Sequence, residues 1–128
     1  MKIKKLLVLV VVLLVLLSVG SVCLVGAELP LTCIDLEKTG PETAVPGETI
    51  TYHFRVKNCG QLILHGAAQV YDPMFGGKIF DGVLESLTCA DIYKDYTVPS
   101  YHCGVLRNEA WAVGHPQRPD GSYEPEIR

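Results

Sequence analysis

The chain has 128 residues, enough for one domain and little more. All three charges among its first 27 residues are positive, and residues 28–128 hold 8 basic against 14 acidic side chains, a net charge of −6. That balance argues against a nucleic-acid binder, which carries a basic patch, and an aromatic content of 8% argues against a disordered tail.

The N-terminus reads as a targeting segment. Lys2, Lys4 and Lys5 precede an unbroken run of Leu and Val from Leu6 to Leu17. Val25-Gly26-Ala27 then places small residues before a cut at Glu28, the order of regions in a secretory signal peptide. Residues 1–27 are expected to be that signal peptide or, if uncleaved, a membrane anchor, because Leu6–Ala27 is long enough to span a bilayer. A lipoprotein cut at Cys23 fits less well, because Val22 stands where a small residue is needed. Residues 28–128 are expected to be exported, secreted or held at the cell surface by a Sec-type signal.

The exported part reads as short strands. Ile34, Leu36 and Lys38 share one phase ahead of the Gly40-Pro41 turn. Thr49–Lys57 alternates cleanly, with Ile50, Tyr52, Phe54 and Val56 on one face and Thr49, Thr51, His53, Arg55 and Lys57 on the other. Leu62, Leu64, Gly66, Ala68 and Val70 continue such an alternation up to Asp72-Pro73. Phe75-Gly76-Gly77 reads as a loop. Further strands are expected around Ala90–Val98 and Leu106–Ala112, then a turn over His115–Gly121 and an edge strand over Ser122–Ile127. With no sustained helical period, the pattern predicts an all-β, immunoglobulin-like antiparallel sandwich of about seven short strands over residues 28–128.

Four cysteines fall in this part: Cys33, Cys59, Cys89 and Cys103. In an exported domain of this size they predict two disulfides, in any of three connectivities. No C-x-x-C supports a redox site or zinc knuckle.

A resemblance is carried by Glu37-Lys38-Thr39-Gly40-Pro41, by Val45-Pro46-Gly47-Glu48-Thr49-Ile50-Thr51-Tyr52, and by Asn58, Gly60, Asp72-Pro73, Tyr96-Thr97-Val98, Gly104, Asn108, Ala110, Ala112 and Gly114. In this order they resemble the repeat domain, of unknown function, found in prokaryotic cell-surface and S-layer-like proteins. The likeness covers about residues 34–114, and Cys59 stands where that pattern has Thr. It implies an Ig-like sandwich in an extracellular, non-enzymatic setting, with tandem copies as neighbours.

The chemistry-bearing residues do not assemble an enzyme. The four histidines lack metal-ligand spacing, Gly76-Gly77-Lys78 is not a phosphate loop, and no G-x-S-x-G occurs. No cofactor, metal or catalytic residue is expected. One trio stands out: Lys38, Asp72 and Asn108 each continue an apolar phase, so strict alternation turns all three inward. They predict either a buried hydrogen-bonded cluster or a reactive one. In the second case a lysine amine attacks an asparagine carbonyl polarised by a protonated acid and leaves an isopeptide bond. Tyr71, Tyr93 and Trp111 fall off the apolar phase and are candidate ligand-facing aromatics.

The expected role is a non-enzymatic exported structural module, a spacer or assembly unit of a cell-surface or secreted protein. An adhesion or carbohydrate-binding module using loop and aromatic residues is the alternative. Expected partners are other cell-envelope or surface proteins, tandem copies included, with no nucleic acid and no membrane contact beyond an uncleaved N-terminus.

Overall fold

The computed structural model describes residues 26–128, so nearly all of the expected signal segment lies outside the described residues. The protein is all-β, built from two three-stranded antiparallel sheets. The strands are β1 (Ile34–Thr39), β2 (Thr49–Asn58), β3 (Ile63–Asp72), β4 (Gly77–Leu84), β5 (Cys89–Thr97) and β6 (Trp111–Gln117). One sheet has the order β1-β2-β5 and the other β4-β3-β6.

Period two decides which side chains meet. Along β2, Ile50, Phe54, Val56 and Asn58 are buried while Thr49, Thr51, Arg55 and Lys57 face solvent. Along β3, Leu64, Ala68, Val70 and Asp72 keep one phase and are fully buried. Phe54, Val56, Leu64, Ala68, Val70, Leu84 and Ala112 form one core between the sheets. Each such aliphatic or aromatic side chain, fully buried, contributes on the order of 1.5–3 kcal/mol, which makes this layer the main cohesive force. At the sandwich edge β1 comes close to β6, so the first and last strands meet across the two sheets.

The structure corrects several expectations. Among the described residues there are six strands in the two sheets, not seven. β4 occupies a stretch read only as the aftermath of a glycine loop. Its alternation is hidden by a bulge. Val70 pairs with Phe80 while Tyr71 pairs with Lys78, so Ile79 is an extra residue. Gly82 interrupts the apolar pattern further, and a Cβ there would come within 2.9 Å of the Phe80 ring, which lies over it. Leu106–Ala110 is irregular and β6 begins only at Trp111. β6 then runs through His115 and Pro116, leaving a shorter turn over 118–121. The expected edge strand over Ser122–Ile127 is reduced to two isolated bridges, Gln117 with Tyr123 and Gly114 with Ile127.

One of the two expected disulfides forms, Cys33–Cys59. Cys89 and Cys103 are free and exposed. Distance along the sheet is the reason. Cys89 opens β5 opposite Lys57, whereas Cys103 belongs to the segment after β5, beside Ile50 and Val98 at the other end. A strand of this length spans roughly 25–30 Å, far beyond the Cα separation of about 7 Å that a disulfide tolerates.

Candidate functional site

The three inward-facing polar residues converge at one end of the sandwich. Lys38 lies near the end of β1, and Asp72 is the last residue of β3 in the opposite sheet. The Lys38 ammonium donates to Asp72 Oδ2 at 3.1 Å. The Lys38 side chain is 17% exposed and that of Asp72 is 0% exposed, so the acid is closed to solvent. This contact joins the two sheets through their interior.

Local structure fixes the acid. Asp72 Oδ1 accepts the Met74 backbone N–H at 2.8 Å and so caps the 3-10 turn Pro73–Phe75. Gly76 ends that turn at φ 87°, a left-handed conformation that glycine adopts without a Cβ clash. The turn carries Phe75 back over the core, where its ring meets Tyr52, Phe54 and Tyr96 edge-on at centroid distances of 6.0, 6.0 and 6.3 Å. Lys38 Nζ sits 4.9 Å from the Tyr52 ring centre and 5.3 Å from that of Phe54. Aromatic faces therefore wall the amine. Gly40 makes room for this, since a Cβ there would stand 2.7 Å from the Tyr52 ring.

Asn108 completes the group from the irregular segment ahead of β6. Its amide lies close enough to the Tyr52 hydroxyl to lower the pKa of the phenol, although the contact falls short of hydrogen-bond geometry. Stronger influences outweigh it. Burial first, and then the Asp72 charge, push the Tyr52 phenol above its ordinary value. Both polar atoms of the Asn108 side chain are buried and have no hydrogen-bond partner among the described residues. Asn108 also lines a recess with Pro73 and Met74, directly beside the cap of Asp72. Tyr52 thus lies against Lys38 and close to Asn108, within reach of the Asp72 charge.

A buried unpartnered amide is uncommon, because leaving its donor and acceptor dry costs about 1–3 kcal/mol each. The other asparagine shows the usual solution. Asn58 is fully buried, donates from Nδ2 to the carbonyls of Leu62 at 2.8 Å and Leu84 at 3.0 Å, and accepts the Gly60 N–H at 3.0 Å. Alternation alone gave no sign of this network. The available signal was an asparagine in the inward phase at the end of β2, immediately before Cys59-Gly60.

The candidate aromatics do not form one surface. Tyr71 pairs across the strands with Trp111 on the β4-β3-β6 sheet, the rings stacked at 5.6 Å with an interplanar angle of 10°. Both are half-buried, and the Arg128 guanidinium covers Trp111 at 5.0 Å. Tyr93 is exposed on the other sheet and stacks on its cross-strand partner His53 at 4.6 Å. His53 meets Asp91 at 2.7 Å, and His115 meets Glu126 at 3.3 Å. Among the described residues no group of three His, Cys, Asp or Glu side chains is arranged to hold a metal ion. No family model matches this chain, and neither does any curated protein or solved structure.

Proposed function

We propose that residues 28–128 form an exported structural module, an Ig-like spacer or assembly unit of a cell-surface or secreted protein. The observation that carries this reading is where the buried polar groups are spent. Asp72 is sealed from solvent and faces a lysine of the opposite sheet, so it ties the molecule together and cannot meet a diffusing substrate. The Cys33–Cys59 bridge and the Asn58 network do the same at the other end. Interior chemistry of this kind serves rigidity. The lysine-rich apolar N-terminus and the disulfide support export, and the ordered surface-repeat motifs support the setting.

Cys89 and Cys103 supply the test, because both thiols are exposed. Intact cells producing the full chain are treated with a membrane-impermeant maleimide, with a Cys89→Ala, Cys103→Ala double variant as control. Labelling of the wild type without lysis is the expected result. Labelling only after lysis contradicts export.

The stacked Tyr71–Trp111 pair supports a second reading as a carbohydrate-binding or adhesive face, since parallel half-exposed rings suit sugar stacking. Here acrylamide should quench the single tryptophan readily and a glycan should protect it. Resistance to quenching in the free protein contradicts a Trp111-centred face.

A further inference from the structure

Among the described residues, Asn108 has both side-chain polar atoms buried without a partner. An asparagine kept only for packing would find partners, as Asn58 does, or would give way to an apolar residue of similar size. Its amide atoms are instead buried, without a partner among the described residues, and close to Tyr52, whose ring also lies against Lys38. The lysine–carboxyl pair and the carboxamide thus share Tyr52 as a neighbour.

The geometry points to an intramolecular isopeptide bond between Lys38 Nζ and Asn108 Cγ, formed by the chain itself with Asp72 as proton carrier. The structure holds the lysine–acid half of the reactant arrangement. The 3.1 Å contact between Lys38 Nζ and Asp72 Oδ2 is the path along which the ammonium passes a proton to the carboxylate. This leaves a neutral amine and a carboxylic acid. The amine lone pair then attacks Asn108 Cγ, while the Asp72 acid donates a hydrogen bond to Oδ1 and steadies the developing oxyanion. Asp72 gives its proton to Nδ2 and, a carboxylate again, takes the second proton from Nζ. The Cγ–Nδ2 bond breaks, ammonia leaves, and a secondary amide remains. One C–N bond forms and one breaks, with no change of oxidation state and no co-reactant.

The aromatic walls have a part in this scheme. Tyr52 and Phe54 hold the lysine amine in place, and Gly40 lets the Tyr52 ring stand where it does. Tyr52 and Gly40 are therefore positioning residues, and Asp72 is the catalytic one. The product would lock β1 of one sheet to the lead-in of β6 of the other, across the edge where these strands meet. The bond stands on this geometry alone and is present or absent whatever role the module has.

The test is the mass of the folded protein, purified from full-chain expression, reduced and alkylated, then digested with trypsin. The wild type is expected to be lighter by one ammonia than its sequence requires. Lys38 should resist cleavage, and its peptide should be joined to the one that begins at Asn108. Lys38→Met and Asp72→Asn should each restore the ammonia and separate the two peptides. A folded wild type at full mass overturns the proposal. So does a lighter wild type in which the Lys38 and Asn108 peptides run apart, because the ammonia was then lost elsewhere. The joined peptide is read on the wild type, so the outcome is decisive even if a variant fails to fold.

Discussion

At one end of the sandwich Asn58 bonds two carbonyls and an amide N–H next to the Cys33–Cys59 bridge. At the other end the amide atoms of Asn108 are buried without a partner among the described residues, close to Tyr52, which lies against Lys38. These are the chain's two asparagines. Burial alone therefore does not assign a role to a polar side chain. At the Asn58 end the polarity is fully consumed by backbone groups, and the site can only hold strands together. At the Asn108 end the polarity is unspent among the described residues, and the proposed cross-link to Lys38 would spend it.

The largest effect should come from the residue that makes no hydrogen bond. If Asn108 is joined to Lys38, 70 residues away, Asn108→Ala removes a cross-link that closes a long loop. Loop-closure entropy sets its loss at about 4 kcal/mol. The same substitution in a Lys38→Met background, where no bond can form, should be close to neutral, because no partner is lost. Urea unfolding of the four proteins measures this coupling. Equal losses in both backgrounds would reduce Asn108 to a packing residue.

Asn58→Ala should cost roughly 3 kcal/mol in the same assay, irrespective of what stands at position 38, because it leaves the carbonyls of Leu62 and Leu84 and the Gly60 N–H without their partner. A coupling between positions 58 and 38 would break the separation of the two ends.

The smallest effect concerns pH. Burial first, then the Asp72 charge, raises the Tyr52 phenol above its ordinary value of 10.0. Below that value the folded and unfolded chains hold this proton equally, and its contribution to stability is fully present. As pH climbs further the unfolded chain releases the proton first, so stability falls until the folded phenol ionises too. Tyr52→Phe removes this component. The difference between wild type and variant should therefore change with pH only on the alkaline side of 10.0. A difference that is flat through that range would remove the Asp72 carboxylate and the dry pocket from the environment of Tyr52.

Much of the fold was legible because period two is a strong signal where strands are regular. The phase of Ile34 and Leu36 carries Lys38 inward, and that of Leu64 and Val70 carries Asp72 inward, but that the two meet came only with the placing of β1 and β3 in facing sheets. The phase of Ala110 and Ala112 also turned Asn108 inward, although the segment that holds it is irregular and not a strand. β4 escaped because its bulge at Ile79 and its glycine at position 82 erase the alternation that marks a strand. The second disulfide failed because counting cysteines says nothing about which end of a strand each occupies. The aromatic surface split for a similar reason, since phase separates inside from outside but does not say which of the two sheets a ring lies on.

One spectrum reads both ends at once: the amide correlations of the uniformly 15N-labelled, folded protein. A single protected asparagine side-chain NH2 pair is expected, from Asn58, exchanging slowly because its donors are bonded to backbone carbonyls. No NH2 pair is expected from Asn108, and in its place one N–H correlation should belong to Lys38 Nζ as a secondary amide. An intact NH2 pair assigned to Asn108 would contradict the cross-link and return that end of the molecule to an ordinary, unreacted salt bridge.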